Sequence, residues 1–522
     1  MRIDKHPILK FHRGREIEFE LDGRGLTGYE GETIAAAIHA AGVRTLRTSI
    51  RLGRPRGFFC AIGRCSSCLM TVNGIPNVMT CITPLERGMK IETQTDKGHI
   101  AETGSSPRKG PSALAAQRPR GGRRGTADAE EPSRAEEPRA RDLGHTPLAV
   151  VGGGPAGLSA AIAAGRLGVE SVIIDENEAP GGQLIKQTHM FFGSKEHYAK
   201  VRGVDIGGRL TSELSELPAR LLNNTTVLGL YPDRALSLLR DGRHHRLSAD
   251  AVVLATGASE NMLAFPGCDL PGVYGAGAVQ TLMNVDGVVP GARVLMVGAG
   301  NIGLIVAYQL LQAGVEVAAV IEGLPTIGGY HVHGAKIRRA GVPIMTAHTI
   351  LEAEGRGRVE KALVARVDAD WRTVPGSETE FDVDTVCLAV GLSPNCELAL
   401  MGGCEETYVA ELGGRVAVHG SDLETSMPGV FIAGDASGIE EASTAMLEGR
   451  LAGLAAAERV GEPLDETLLE SMRDEAADGL AALRSGPFGD RPRTGKEKMY
   501  DLARKLRQRG ERREERSVDV QK

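Results

Sequence analysis

Residues 148–176 read LAVVGGGPAGLSAAIAAGRLGVESVIIDE, in which a strand-like run leads through a glycine cluster and an alanine-rich run to a second strand-like run. The glycines follow the spacing G-x-G-x-x-G. Gly152 allows the tight turn, Gly154 lets a pyrophosphate approach the backbone, and Gly157 permits close packing of helix on sheet. Asp175 ends the second run, where an acidic side chain takes the ribose hydroxyls. The stretch predicts a βαβ unit that binds a dinucleotide.

A second stretch of the same kind, RVLMVGAGNIGLIVAYQLLQAGVEVAAVIEG, covers residues 293–323. Its fingerprint residues are Gly298, Gly300, Gly303 and Glu322. The acidic residue, with no arginine directly after it, favours NAD over NADP. Two Rossmann-type units in one chain predict two dinucleotide sites.

Composition limits the class of protein. The chain has 522 residues, 42% of them apolar and 25% charged, with a formal net charge of −6. This length predicts about two to four domains, and the charge argues against a nucleic-acid-binding protein. The opening MRIDKHPILKF has no apolar leader, and no run reaches the length of a membrane-spanning helix. We expect a cytoplasmic protein without a transmembrane segment.

Half of the eight cysteines fall within one window, FFCAIGRCSSCLMTVNGIPNVMTC, at residues 58–81. The spacing C-x4-C-x2-C, with a fourth cysteine after twelve more residues, is the plant-type ligand arrangement for a [2Fe–2S] cluster. The predicted ligands are Cys60, Cys65, Cys68 and Cys81. Zinc is the alternative, but zinc sites usually show two C-x2-C pairs or mixed Cys and His, whereas this window has one such pair and no histidine.

Strand-like runs (REIEFELDG, LMTVNG and MKIETQ) and one helical segment, GETIAAAIHAAG, surround the cysteine window. An Asn-Gly turn predicts a hairpin before the fourth cysteine. The pattern resembles the β-grasp ferredoxin fold. That resemblance implies a one-electron carrier with a potential near that of plant-type ferredoxins, about −400 mV.

Two further regions differ in amino-acid composition from the rest of the chain. Residues 101–146 are rich in Pro, Gly, Arg and Glu and have almost no large apolar residues, so we expect a flexible linker. Residues 462–522 are charged and helix-prone, with Met499, Leu502 and Leu506 on one helical face. We expect a solvated or frayed tail there; a docking helix for a partner is the alternative.

The two fingerprints, together with VVLATG (252–257) and GVFIAGD (429–435), resemble the two-dinucleotide-domain flavoproteins related to thioredoxin reductase. The resemblance implies FAD on the first fingerprint and a nicotinamide domain inserted into the FAD domain. It also implies that APGGQL (179–184) lies against the flavin. Beyond the fingerprints, the residues it assigns to the cofactor are Gly182, Gln183, Thr256, Gly257, Gly434 and Asp435.

One departure from those flavoproteins concerns cysteine. They carry a reactive cysteine pair beside the flavin, and no such pair follows the first fingerprint here. The remaining cysteines, Cys268, Cys387, Cys396 and Cys404, are most simply buried, inert thiols. We therefore do not expect disulfide reduction.

A β-grasp cluster domain ahead of a flavin/NAD module resembles the alpha-type subunits of heteromeric amine and imino-acid dehydrogenases. This group includes sarcosine oxidase, dye-linked proline dehydrogenase, opine oxidase and hydrogen cyanide synthase. GGQLIKQTHMFFGSKEHYA and HVHGAKIRRAGVPI also look like segments of that group. The resemblance implies a beta-type subunit, with a second flavin, that oxidises a secondary amine or amino acid and passes electrons to this chain. The terminal acceptor is left open.

We thus predict an α/β oxidoreductase with FAD, a [2Fe–2S] cluster and NAD. Its predicted segments are a β-grasp ferredoxin-like domain (1–98), a disordered linker (99–146), the first half of an FAD-binding domain (147–266), an inserted NAD-binding domain (267–388), the second half of the FAD-binding domain (389–461) and a charged helical tail (462–522). Three functions stay open: an electron-transfer subunit, a free-standing NADH-dependent reductase that uses its own cluster domain, and a non-catalytic scaffold subunit.

Overall fold

The computed structural model describes residues 1–99, 140–191, 198–461, 463–486 and 489–520, with side chains up to residue 509. Most of the predicted linker therefore lies outside the described residues. The first strand after it begins at Arg141, a few residues before the predicted boundary at 147. No helix in the described ranges has both the length and the apolar content needed to cross a membrane.

The N-terminal domain is a five-stranded sheet wrapped around one helix. Its elements are β1 (Glu16–Leu21), β2 (Arg24–Tyr29), α1 (Ile34–Ala40), β3 (Arg47–Thr48), β4 (Pro55–Arg56), β5 (Leu69–Val72), β6 (Ile75–Met79) and β7 (Lys90–Glu92). The sheet order is β2-β1-β7-β5-β6, with β1 and β7 parallel. Thr33 caps α1 by accepting from the Ala36 amide. Ala35, Ala36 and Ala37 of α1 are completely buried, so the helix lies close against the sheet.

The next domain begins the first Rossmann unit. Its elements are β8 (Arg141–Val151), α2 (Pro155–Arg166), β9 (Ser171–Ile174), α3 (Gly203–Leu214), β10 (Ala219–Leu222), β11 (Thr225–Leu230), β12 (Leu236–Arg240) and β13 (Arg243–Leu254), with a 3₁₀ turn at Gly182–Lys186. Strands β10, β9, β8 and β13 are parallel neighbours in that order. Such an order follows from right-handed βαβ crossovers.

The chain then crosses into a second α/β domain. Its elements are β14 (Ala258–Glu260), β15 (Val273–Gly275), α4 (Ala276–Gln280), a π turn (Thr281–Val285), β16 (Arg293–Val297), α5 (Asn301–Gln312), β17 (Glu316–Glu322), α6 (His331–Arg339), β18 (Ile344–Thr346), β19 (His348–Glu354), β20 (Lys361–Arg366), β21 (Thr379–Asp382) and β22 (Thr385–Leu388). Five strands form a parallel sheet in the order β15-β22-β16-β17-β18. Strands β19, β20 and β21 form a separate antiparallel sheet.

The chain returns to the first Rossmann sheet and then continues through three consecutive helices. The elements are β23 (Leu392–Pro394), α7 (Glu397–Met401), β24 (Glu406–Val409), β25 (Gly414–Ala417), β26 (Val430–Ile432), α8 (Ala442–Val460), α9 (Glu466–Arg484) and α10 (Asp490–Val520), with 3₁₀ turns at Ala410–Leu412 and Gly434–Ser437. Strand β23 pairs with β14, so the two segments that connect the first and second Rossmann domains lie side by side. Strand β26 pairs with the end of β13.

The expectation of a solvated or frayed tail is wrong for the tail segments whose side chains the structure describes, 463–486 and 489–509, because both segments pack on the rest of the chain. Leu480 of α9 packs beneath α8, and Met499 of α10 is fully buried. The apolar face of α10 covers Leu412 and Val416 of the second half of the first Rossmann domain. The face was correctly located in the sequence, but its partner is the chain itself.

The cluster domain and the second Rossmann domain share one apolar core. Phe58 of the former packs with Tyr274 and Leu282 of the latter in a continuous buried set. Ion pairs border it: Arg44 Nη2 lies 3.1 Å from Asp384 Oδ2, and Arg56 Nη1 lies 2.6 Å from Asp269 Oδ2. The two domains therefore pack as one unit.

His39 lies in this shared core and should make it acid-sensitive. Its Nε2 is 3.2 Å from the Pro290 carbonyl oxygen, and burial, together with Arg44 and the terminal amino group, lowers its pKa to about 4. Below its ordinary pKa of 6.5 the unfolded state binds the proton more tightly, so stability falls as the pH decreases from 6.5 towards 4. This loss amounts to about 1.4 kcal/mol of unfolding free energy per pH unit, and we expect His39→Gln to abolish it. Urea unfolding at pH 7 and 4.5 measures the difference, and parallel losses in both proteins would contradict it.

Candidate cofactor sites

The four cysteines of the window converge in the structure. Cys60, Cys68 and Cys81 are buried, and Cys65 is half-buried. The sulfurs of Cys60 and Cys65 lie within hydrogen-bonding reach of one another, as do those of Cys68 and Cys81, and a further contact joins Cys60 to Cys81. Across the described residues, no group of three or more His, Cys, Asp or Glu side chains is spaced for a single metal ion. Two thiol pairs suit two irons with two thiolates each.

The environment of Cys60 favours a thiolate. The thiols of Cys65 and Cys81 donate to its sulfur and the Cys65 amide donates over 3.4 Å, so the pKa of Cys60 is held well below its ordinary value. Ala61 and Gly63 both adopt positive φ, at 56° and 70°, which turns the backbone around the thiols. The predicted wrapping by small residues fits a cluster held by these four side chains.

The first fingerprint has the close contacts that its glycines require. A Cβ on Gly152 would overlap the Ala255 carbonyl oxygen, and a Cβ on Gly157 would overlap the Gly152 carbonyl oxygen. The N-cap of α2 is Gly154, and no side chain caps this end of the helix. The first backbone amides of α2 therefore point, without a side-chain partner, into the space beyond its N-terminus. A pyrophosphate fits there because helix N-termini bind anions.

Asp175 holds the shape of the same loop. Its Oδ2 accepts from the Gly153 amide at 2.5 Å, and its Oδ1 accepts from the Asn177 amide at 2.8 Å. Oδ1 also accepts from Asn177 Nδ2 at 2.8 Å, so it is Oδ2 that keeps a further acceptor site for a ribose hydroxyl. The acid therefore ties the glycine turn to the end of β9.

The other residues assigned to FAD gather at one edge of the sheet. Gly152, Thr256 with Gly257, and Gly434 with Asp435 follow β8, β13 and β26, which are neighbouring parallel strands. Ligands of open α/β sheets bind at the carboxyl ends of the strands. Burial raises the pKa of Asp435 to about 6, and the Glu440 amide donates to its carboxyl group over a long 3.4 Å, so the group has capacity for a ligand hydroxyl.

The diglycine loop at 179–184 closes over the glycine turn. The Gly181 amide donates to the Gly153 carbonyl oxygen at 2.7 Å, and Gly182 at φ 52° lies against Gly154. Gln183 is exposed beside it. The loop therefore lies directly over the first glycine fingerprint, and its contact with the cofactor stays a prediction.

The second fingerprint repeats this arrangement. A Cβ on Gly298 would overlap the Ala389 carbonyl oxygen, and a Cβ on Gly303 would overlap the Gly298 carbonyl oxygen. Glu322 Oε2 accepts from the Ala299 amide at 2.8 Å, as Asp175 does from its own loop. Glu322 comes one residue later in its unit than Asp175 does in its own, and it still makes the same contact with the glycine loop.

A second diglycine loop crosses the second fingerprint and was missed in the sequence. The Gly329 amide donates to the Ala299 carbonyl oxygen at 3.0 Å. Tyr330 donates from its hydroxyl to Glu441 Oε1 at 2.6 Å, which ties this loop to the N-terminus of α8. The signal was the repeated Gly-Gly a few residues after each acid.

A buried ionic network beneath Gly434 was also missed. Glu448 accepts from the Gly434 amide at 3.1 Å and from Ser437 Oγ at 2.6 Å. Its other oxygen pairs with Lys496 Nζ at 2.7 Å and with Arg484 at 2.6 Å, both from the tail helices. Lys496 shares a helical face with Met499, which is the one sequence signal that it is buried.

Among the polar residues after the diglycine loop, Lys186 is buried and donates to the Gly277 carbonyl oxygen at 3.1 Å. His189 stacks on Phe191, with ring centroids 5.6 Å apart, and burial lowers its pKa to about 4. His197 lies outside the described residues. None of these side chains forms a nucleophile–base pair in the described part of the chain.

Gly154→Ala and Gly300→Ala should separate the two dinucleotide sites. A Cβ on Gly154 would have only the Gly182 Cα nearby, at 3.8 Å, and a Cβ on Gly300 would meet nothing within 4 Å. Both residues have negative φ, so the fold accepts alanine. Each methyl would occupy the space for a pyrophosphate. We expect Gly154→Ala to lower FAD affinity, and Gly300→Ala to lower NADH affinity, by roughly tenfold or more.

Fluorescence measures both affinities, and Gly208→Ala on α3, whose Cβ would also meet nothing within 4 Å, is the control. If Gly154→Ala weakened NADH binding and left FAD binding intact, the assignment of the two sites would be reversed.

The comparisons with known proteins agree with these sites. Residues 146–449 match the family model described as pyridine nucleotide-disulphide oxidoreductase, and residues 14–96 match a 2Fe-2S iron-sulfur cluster binding domain. The predicted fold class is confirmed, as are FAD/NAD(P) binding and the [2Fe–2S] domain. All eight cysteines, each in a described range, are free.

Relatives include the alpha subunit of sarcosine oxidase from Rhizobium meliloti (strain 1021), 27% identical over 89% of this chain and 48% of the relative. An opine oxidase subunit of the same strain is 31% identical over 64% of this chain and 75% of the relative. The chain thus spans about half the length of that sarcosine oxidase subunit. The crystal structure of L-proline dehydrogenase from P. horikoshii superposes with a TM-score of 0.66 at 22% identity, over 90% of this chain and 79% of that one, and shares the fold.

Proposed function

We propose that this chain, which belongs to the pyridine nucleotide-disulphide oxidoreductase family, is the electron-transfer subunit of a heteromeric FAD-dependent dehydrogenase or oxidase. The substrate class is a secondary amine or an amino or imino acid, similar to sarcosine, proline or an opine. The supporting observation is that the cluster domain packs directly on the flavoprotein module. The Gly275 amide donates to the Phe59 carbonyl oxygen at 3.0 Å, one residue before Cys60.

The chain's own residues bind and orient the cofactors. FAD, when bound, exchanges two electrons as hydride with NAD(H) and releases them singly to an iron–sulfur cluster. We assign FAD to the first fingerprint, where Asp175 and Asp435 face the expected positions of ribose and ribityl hydroxyls. We assign NAD to the second, where Glu322 holds the loop. Cys60, Cys65, Cys68 and Cys81 hold the cluster within the same packed unit.

The relatives support a partner subunit. The sarcosine oxidase and opine oxidase relatives are, by name, subunits of larger enzymes. We propose a beta-type, FAD-containing partner that oxidises the substrate, and a cytoplasmic location for the complex. Catalytic residues for substrate oxidation would then lie in the partner.

A free-standing NADH-dependent reductase is the second candidate. The second fingerprint retains the loop, the acid and the uncapped helix of a dinucleotide site. A scaffold subunit with structural nucleotide sites is the third.

The test is anaerobic reduction of the purified full chain by NADH, followed by flavin absorbance and by turnover with an artificial acceptor. Inertness until an amine substrate and a co-purified FAD-containing partner are added supports the proposed function. Fast turnover by the chain alone would favour the reductase. Failure of the flavin to be reduced under any of these conditions would favour the scaffold.

A further inference from the structure

A buried lysine and a half-buried glutamate lie between the diglycine loop and the first cluster cysteine. Lys186 ends the 3₁₀ turn that begins at Gly182, and its side chain is 5% exposed. Glu260 ends β14, and its Oε1 accepts from the Gly277 amide at 2.6 Å. Lys186 Nζ and Glu260 Oε2 would each lie 3.1 Å from a Cβ on Gly277. The two charges thus flank one glycine.

The same pair borders the backbone next to Cys60. A Cβ on Gly275 would overlap Glu260 Oε2 and would lie 3.3 Å from the Phe59 carbonyl oxygen. The Gly275 amide donates to that oxygen, so the glutamate and the cysteine loop are in contact through one residue. Glycines at 275 and 277 allow this close approach because any larger residue would displace the carboxylate.

The charges of Lys186 and Glu260 interact electrostatically with a charge on Cys60. Burial lowers the pKa of Lys186 to about 8, opposed by Glu260 and by the Cys60 thiolate. Burial raises the pKa of Glu260, opposed by the Gly277 amide and by Lys186, and a charge on Cys60 raises it further. Lys186 is buried and Glu260 is half-buried, and moving two charges out of water is costly. Retaining them beside the cluster therefore calls for a role.

We propose that Lys186 and Glu260 set the reduction potential of the cluster in opposite directions. Reduction adds one electron, and hence one negative charge, to the thiolate-bound iron centre, with no bond made or broken. A cation close to Cys60 stabilises the added charge and an anion destabilises it, because the Coulomb interaction is strong in a water-poor interior. Net charge around the thiolates is one of the variables that fix such potentials.

The inference rests on the cluster of the proposed function but not on its substrate, its partner or NADH. The experiment is an anaerobic redox titration of the full chain with dithionite, followed by the electron paramagnetic resonance signal of the cluster. We expect Lys186→Met to lower, and Glu260→Gln to raise, the equilibrium constant for one-electron reduction by roughly tenfold each, which is about 59 mV. Lys186→Arg keeps the charge and should stay near wild type.

An exposed pair of the same composition supplies the controls. Lys361 Nζ lies 2.8 Å from Glu380 Oε2 on the antiparallel sheet, so Lys361→Met and Glu380→Gln make the same charge changes at the surface. Shifts of opposite sign that exceed these controls support the proposal. Shifts of the same sign, or shifts no larger than the controls, overturn it. If Lys186→Met prevents cluster assembly, the sign of the Glu260→Gln shift decides.

Failure of this experiment is distinct from failure of the proposed function. If the variants show the expected opposite shifts in potential, but the flavin is not reduced by NADH and no partner is found, the charge effect stands and the proposed electron-transfer role fails. If the variants leave the cluster potential unchanged but turnover depends on a partner, the proposed function stands and the charge effect fails.

Discussion

Replacing Cys81 with serine is expected to abolish the [2Fe–2S] cluster. The Cys81 side chain is 4% exposed, and its sulfur contacts the sulfurs of both Cys60 and Cys68. A serine hydroxyl is a hard, weakly acidic donor, whereas iron–sulfur clusters are held by soft thiolates. Loss of one ligand leaves one iron with a single protein thiolate. Iron and acid-labile sulfide per chain, and the paramagnetic signal after dithionite, should fall to background.

Cys268→Ser is the matched control for this prediction. Cys268 is a free, half-buried thiol outside the window, so its replacement should leave iron, sulfide and FAD content at wild-type values. A Cys81→Ser chain with full sulfide and an unchanged signal would show that these thiols do not hold the cluster. Stoichiometric zinc without sulfide in the wild-type chain would favour the zinc alternative.

Replacing Lys496 with methionine is expected to destabilise the chain by about 3 kcal/mol or more and to release FAD. Lys496 Nζ donates to Glu448 Oε1 and to Ser437 Oγ, each at 2.7 Å, and both charged side chains are about 2% exposed. Without the lysine, the buried Glu448 keeps only Arg484 as a cation. Since Glu448 also accepts from the Gly434 amide, the strain should reach the predicted FAD site.

Urea unfolding and the recovery of flavin fluorescence measure the two effects. Lys498→Met, two residues further along α10, removes an exposed lysine that pairs with Glu411 and should change stability by less than about 0.5 kcal/mol. If Lys496→Met behaved like this control, the tail would be dispensable for the FAD site.

The same network predicts the direction of the pH dependence. Burial by itself raises the pKa of Glu448, but Lys496 and Arg484 lower it to about 2 overall. A depressed carboxyl pKa contributes stability above the ordinary value of 4.5, and that contribution is lost as the pH falls towards 2. The acid sensitivity of Lys496→Met should therefore be smaller than that of the wild type over this range.

The cofactor motifs could be predicted because their requirements are local. Gly157 must be glycine since a Cβ there would meet the Gly152 carbonyl oxygen of the same βαβ unit. The cysteine spacing sets which thiols meet around a cluster before any other domain packs. These constraints act over a few tens of residues, so the sequence alone determined the fold class, the cofactors and the cluster ligands that we predict.

Packing between distant segments decided the rest. Lys496 meets Glu448 across different helices, Tyr330 of the second Rossmann domain meets Glu441 of the first, and Lys186 reaches Gly277. An isolated Lys, Glu or Tyr has the same appearance in sequence whether it is solvated or buried. Its role depends on which partner the tertiary structure brings into the low-dielectric interior, and neither spacing nor periodicity encodes that partner.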